Sequence, residues 1–396
     1  MSASTQFRLL TFHCTASQAS TALAGGFVGA YLLQLGLSLP AALCVYAALL
    51  GVRFLVRLGV LPLVRRVGLR SALLLGVSVG ALQFWPLAYA ENPFCLGAWV
   101  CIVALSESLY WPVLHASSAV ALPESRSGRQ IAVRQALSGL VAIIAPLAGG
   151  TILTRFGPGA DFAIAAAILL LSAIPVMRMD RISAGPIPTF RNSFEGADRV
   201  GIAAFAADGW IASGLSVAWP MILFTTLGSQ YDSYALSSSI AGLLGCAAGL
   251  ICGRGIDRGS RTTYLPAACV ALTAVFMLRI AVSVAPGMAQ LANAAGAAAI
   301  GLYIPVIMSA IYERSKGTGA AYKFHIAAEA GWDLGAMAGC FAAALVSIVV
   351  GSSSLCLLPS WVGVVAIYIC VHRATRLRPL GATAPQGGAT LTQMPA

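Results

Sequence analysis

Charge is what this sequence has least of: Asp, Glu, Lys and Arg together make up 9% of 396 residues, and only two of the 24 basic residues are lysine. Soluble domains carry roughly 25% charged residues, so a chain this poor in charge could not cover a water-facing surface. Other absences narrow the field. The ten cysteines form no C-x-x-C pair and lie singly in apolar stretches, where cysteine behaves as a small buried hydrophobe. Neither a disulfide framework nor a zinc site is expected. There is no H-E-x-x-H and no G-x-x-x-x-G-K-S/T, so no metal, cofactor or nucleotide-driven chemistry is expected. No long basic arm or interleaving of aromatic and basic residues accompanies the net charge of +11, which argues against nucleic-acid binding.

What is present is apolar: 59% of residues are hydrophobic. A hydrocarbon core about 30 Å thick needs segments of about 20 such residues. They occur near 10–34, 39–64, 71–90, 95–120, 132–154, 160–178, 201–227, 233–253, 263–285, 288–311, 325–350 and 354–371, which predicts twelve spans, six on either side of residues 179–200. Alternate connections hold the basic residues, among them Arg65, Arg66 and Arg70, then Arg178 and Arg181, Arg254 and Arg258, and Arg314 and Lys316; the other side offers only Arg155. Short basic loops stay cytoplasmic, so both termini are expected inside. The first span is interrupted by His13, Ser17 and Gln18 and is longer than the apolar run of a signal peptide, so it reads as a retained helix. The excess of Arg over Lys, with abundant Ala and Gly, resembles a GC-rich bacterial genome, and the inner membrane is the expected location.

The chain also repeats itself. "LYWPVLHAS" at 109–117 returns as "LYIPVIMSA" at 302–310, at matching places in spans four and ten. After spans two and eight stand the basic turns "LPLVRRVGLR" and "GRGIDRGSR". The second half therefore reads as a divergent copy of the first, a construction known among transporters. In these features the chain resembles the major facilitator superfamily, whose corresponding loops carry a pattern like G-x-x-x-D-R-x-G-R. Gly253, Asp257, Arg258 and Arg261 match the second copy; Arg66, Gly68 and Arg70 match a first copy in which Arg65 replaces the aspartate and Leu61 the leading glycine. Pro146, Gly149 and Gly150 resemble the family's G-P-x-x-G-G element, which in the family lies between the halves.

The resemblance implies an all-α polytopic membrane protein of two six-helix bundles, residues 1–178 and 201–377, joined by a cytoplasmic linker at 179–200 and followed by a disordered tail at 378–396. It implies a transporter rather than an enzyme, acting as a monomer, with a small-molecule substrate and the bilayer as its partners. It also places the first, fourth, seventh and tenth helices along the central path.

Ionisable groups inside hydrocarbon cost a few kcal/mol and usually face a bundle interior or a wet cavity. In span four, Glu107, Tyr110, Trp111 and His115 are candidates for the substrate surface, with Pro112 bending the helix. The second copy keeps Tyr303 and Pro305 but replaces Trp111 by Ile304 and His115 by Met308, so the shared residues read as scaffold and the differing ones as specificity. His13 and Gln18 in span one and Asp208 in span seven are further path candidates. His325, Glu329 and Asp333 fall at i, i+4 and i+8 of span eleven, groups able to take up and release a proton. They could equally be structural partners of arginines. Arg53 and Arg57, one turn apart in span two, could attract an anionic substrate, neutralise Glu329, Asp333 or Asp208, or snorkel to the interface. Arg279 in span nine reads as a snorkelling residue. The function expected is a secondary active transporter of a small organic solute, coupled to protons; a receptor or an intramembrane enzyme on the same bundle is the alternative. Reporter fusions at Ala396 and beside Asn92 are expected to report opposite sides of the membrane, and a common side for both would contradict this topology.

Overall fold

The computed structural model describes residues 3–121, 127–257 and 261–376, with side chains at 5–121, 137–252 and 264–372. The Arg258 position and the tail from 377 lie outside the described residues, and the side chains of Gly253, Asp257 and Arg261 outside the described side chains. The described secondary structure is helical throughout.

The first half runs α1 (Ala3–Leu23), a 3-10 turn at Gly25–Phe27, α2 (Val28–Gln34), α3 (Leu39–Gly59), α4 (Leu61–Val67), α5 (Leu69–Leu82), α6 (Phe84–Ala88), α7 (Pro93–Ala121), α8 (Ser127–Leu171) and α9 (Ala173–Met177). The second half runs α10 (Arg199–Ala212), α11 (Trp219–Thr226), α12 (Tyr231–Asp257), α13 (Arg261–Ala281), α14 (Ala289–Gly317), α15 (Ala321–Val350) and α16 (Ser360–Arg376). Ten helices among the described residues are long and apolar enough to cross a membrane, against the twelve spans expected. Two differences account for the gap. Expected spans five and six form one apolar stretch, Leu137–Met177, that turns back at Gly157, where φ 80 and ψ 174 are open to glycine and not to a side chain. The expected first span is α1, the 3-10 turn and α2, and the polar residues of α1 keep it out of the ten.

Small residues decide which faces meet. Gly331, Gly335 and Gly339 recur every fourth residue along α15 and form one stripe. A Cβ on Gly335 would stand 1.9 Å from the Ala206 carbonyl oxygen of α10, and one on Gly331 2.6 Å from that of Ile202. In a bilayer, where no hydrophobic force drives helices together, such close approach is a main source of association. The glycine stripe seats α15 on α10 and leaves the stripe of His325, Glu329 and Asp333, about a third of a turn round the helix, to meet the first half. Span seven changes its winding beside this contact: residues Ser213–Ala218 form a π-helical segment, and Gly214 there lies against Ser360 of α16.

A second seam joins α8 to α12. A Cβ on Gly150 would meet Cβ of Ala235 at 2.4 Å, and one on Gly242 the Ala142 carbonyl oxygen at 2.4 Å, while Gly149 is pressed on the end of α1 at Leu23. Gly149 and Gly150 therefore lie on opposite contacts, one within the first half and one across to the second. Glycine to alanine in a helix normally stabilises by about 1 kcal/mol. The sign is expected to reverse at Gly335, where the added methyl meets backbone. Gly335→Ala should lower the melting temperature and folded yield, whereas Gly97→Ala, at a position with nothing within 4 Å, should not; equal shifts for both would show that the stripe does not control the contact.

Candidate substrate path and proton-coupling site

Glu107 stands at the centre of the 29-residue helix α7, and Tyr303 at the centre of the 29-residue α14. Around this level the acidic face of α15 meets α3. Asp333 is fully buried and bound by both arginines: Arg57 donates to Oδ2 from Nε at 2.9 Å and from Nη2 at 2.7 Å, and Arg53 donates to Oδ1 from Nε at 2.5 Å. Arg53 also pairs with Glu107 of α7, whose side chain is 31% exposed. Arg57 Nη2 lies 3.6 Å from Glu329. Arg53 and Arg57 thus do not snorkel. At 4% and 0% exposure they are buried and paired with carboxylates, Arg57 Nη1 being left without a hydrogen-bond partner among the described residues. The reason is economy of charge, since a buried guanidinium needs a carboxylate at hand.

One turn further along α15, Glu329 meets His115 of α7, with Nε2 3.4 Å from Oε1. Nδ1 of the same ring lies 2.9 Å from the hydroxyl of Tyr312 on α14. With its proton on Nε2 facing the carboxylate, His115 accepts from Tyr312 on Nδ1; doubly protonated, it donates from both nitrogens. The His115 ring stacks on Trp111 at 5.6 Å and on His325 at 5.4 Å. His325 is fully buried, and among the described residues both its ring nitrogens are without hydrogen-bond partners. It contributes a ring to the cluster and does not touch Glu329 through a hydrogen bond.

Asp208 of α10 is half-buried. It accepts from the Tyr303 hydroxyl at 2.7 Å and from the Trp332 indole N–H at 2.9 Å. The ring of Trp332 also carries the Arg53 guanidinium, 4.8 Å from its centroid. The repeated tyrosine does the same work in each half: Tyr110 donates to Ser17 of α1 at 3.2 Å, as Tyr303 donates to Asp208 of α10.

Several expected residues are placed elsewhere. His13 is fully buried within the first half, where Nδ1–H donates to the Ser172 carbonyl at 2.8 Å, so it ties α1 to the start of α9 and does not face the path. Gln18 is exposed on α1 beside Ser17. Arg279 is a correction of larger size: it is 2% exposed, lies over the ring of Trp219 at 4.5 Å, and fills the space left by Gly296. Aromatic stacking inside the second half has replaced the snorkel expected from its position near a helix end. Arg70 donates to the Met179 carbonyl at 2.6 Å, tying the start of α5 to the chain beyond α9; Arg66 is exposed and Gly68 adopts φ 81 between α4 and α5. Tyr312, Trp332 and the bidentate Arg314–Asp198 pair, at 2.6 and 2.7 Å, were not among the expected site residues. Burial opposes ionisation of Asp198, but Arg314 and the backbone N–H groups at the start of α10 outweigh it and hold its carboxyl below the usual range.

One cavity of 480 Å³ opens at the ends of the helices opposite the basic loops. It is lined by Gln34, Leu37 and Ser38 of the first half and by Met221, Phe224 and Thr225 of the second, and it contains none of the expected path residues.

No curated protein matches the chain. Solved transporter structures do. A variant of the E. coli fucose:proton symporter FucP superimposes with a TM-score of 0.66 at 16% identity, covering 93% of this chain and 98% of that one. The human organic anion transporter MFSD10 gives 0.64 at 13% identity over 94% of this chain and 100% of its own, and the nucleoside transporter NupG, as a mutant, 0.62 at 11% over 95% and 100%. The family model of the Major Facilitator Superfamily matches residues 9–324. The helical fold and this match agree with the resemblance read from the basic loops and the repeat: the chain is a multi-pass membrane protein that belongs to the Major Facilitator Superfamily of transporters.

Proposed function

We propose that the protein is a proton-coupled secondary transporter of a small organic solute, working by alternating access of residues 1–178 against 201–377, with 179–200 as the cytoplasmic linker, both termini inside and a single chain as the working unit. The observation that carries this reading is the buried charge network between α3, α7 and α15. Three carboxylates, Glu107, Glu329 and Asp333, meet two guanidiniums, Arg53 and Arg57. One negative charge is in excess, and an uncompensated charge away from water is costly. His115, 3.4 Å from Glu329, is the group placed to correct it. A proton taken up by His115 or by Glu329 closes the balance, and its release reopens it.

The same groups join the two halves, so their protonation bears on whether the halves can part. With the proton on Glu329, that carboxyl no longer needs Arg57 or His115, and α7 can move relative to α15 without separating an ion pair; with the proton on His115 the imidazolium instead holds Glu329 across the halves. The proton would thus act on the equilibrium between the two arrangements through the contacts it makes or breaks, as differential binding requires. The basic turn of Arg66, Gly68 and Arg70, and its counterpart with Gly253, Asp257, Arg258 and Arg261, would limit this movement at the cytoplasmic ends.

Glu329→Gln removes the excess charge permanently. In proteoliposomes it should retain substrate counterflow, which needs no net proton movement, and lose uptake driven by a pH gradient. His115→Gln should move the pH dependence of uptake. Concentrative uptake by both variants with an unchanged pH profile would refute coupling at this pair.

A further inference from the structure

Resting on that transport reading, the charge at the path also bears on the class of solute. Both buried arginines are occupied by Asp333, Glu107 and Glu329, and His115, 3.4 Å from Glu329, is the group beside the excess charge among these five. Asp208 stands outside this balance. Its two hydrogen bonds come from neutral donors, the Tyr303 hydroxyl and the Trp332 indole, and no ion pair reaches it among the described residues. A half-buried carboxylate inside a membrane protein, oriented by two neutral donors and lacking a counter-ion, is costly as an anion until a cation or a proton balances it. We propose that the solute is an organic cation, an amine or quaternary ammonium compound bearing a flat apolar group, with Asp208 as its counter-ion and Trp332 as part of its contact surface.

Three features favour a cation over an anion or a neutral solute. An anion would enter a region where four carboxylates face two arginines that are already bound. Trp332 already accepts a cation on its ring, since the Arg53 guanidinium lies 4.8 Å from its centroid, and indole is the aromatic group best suited to that contact. Trp332 is also adjacent in sequence to Asp333 and donates to Asp208. A solute ammonium at Asp208 would therefore sit one side chain away from the network that holds the halves together, which gives solute binding a direct route to the proton site. Tyr303, held at the centre of α14 by the repeated kernel, fixes the direction in which Asp208 presents its free lone pairs.

The test uses the full chain purified in detergent and three probes of one skeleton: phenethyltrimethylammonium, whose charge does not depend on pH, 2-phenylethanol and 3-phenylpropionate. Binding is followed by tryptophan fluorescence and equilibrium dialysis. The cation should bind about tenfold or more tightly than either comparator, Asp208→Asn should erase that preference, and Asp208→Glu should restore part of it. If the asparagine variant folds poorly, the order of the three probes on the unaltered protein decides. Equal binding of the three, tighter binding of 3-phenylpropionate, or a cation preference that survives Asp208→Asn would overturn the proposal. Counterflow of the same probes in proteoliposomes separates the two readings. A cation that binds at Asp208 without being exchanged would contradict transport and leave the cation site standing. Gradient-driven uptake of an anion by a protein that shows no cation preference would do the reverse.

Discussion

Asp333 between Arg53 and Arg57 is the contact on which the rest of the site depends. Three fully or almost fully buried charged groups meet there across the boundary between the halves. A buried ion pair adds little net stability over a well-packed apolar one, but removing one partner leaves a buried charge uncompensated, at a cost of about 3–5 kcal/mol. The pair is therefore a constraint on arrangement more than a source of stability. It fixes the register of α15 against α3, and with it the positions of Glu329 one turn toward the basic ends and of Trp332 beside Asp208. The glycine stripe at 331, 335 and 339 supplies the complementary condition by holding the other face of α15 on α10. One helix thus carries the packing surface of its own half and the charged surface toward the other.

The internal repeat clarifies which residues are scaffold. Tyr110 and Tyr303 recur and make equivalent contacts, each donating to a polar side chain on the first helix of its half. The difference lies in the acceptor, a serine in one half and an aspartate in the other, so an ordinary helix tie in the first half has become a charged position in the second. Trp111 and His115 do not recur. His115 is the ring that reaches across to Glu329 and Tyr312, and Trp111 stacks on it. The asymmetry between the copies coincides with the place where the halves exchange contacts.

Much of this was legible in the sequence because a membrane restricts the possibilities. Low charge and apolar runs imply spanning helices, and the few ionisable residues within them are few enough to consider singly. The i, i+4, i+8 spacing of His325, Glu329 and Asp333 put them on one stripe, and Arg53 and Arg57 shared another. What the sequence could not fix was which stripe faced which, because partner choice depends on helix rotation. The glycines of "GWDLGAMAG" carried that information, since a small residue every fourth position marks the face of closest approach, and this signal was missed. His13 and Arg279 were misplaced for a related reason: the position of a polar residue along a helix shows its depth but not whether a carbonyl or an indole inside the same half awaits it. The excess of expected spans over the ten apolar helices arose where two spans run together through the turn at Gly157 and where polar residues lower the hydropathy of α1.

The most direct measurement of the central claim, that the buried charges hold the halves together, is the distance between spin labels on the two halves near the basic ends, at exposed Val67 and Thr318. Asp333→Asn should shift the distance distribution toward longer separations relative to the unaltered chain, because Arg53 and Arg57 lose their shared partner and the contact between α3 and α15 weakens. A distribution unchanged by Asp333→Asn, in a protein that remains folded, would contradict the claim.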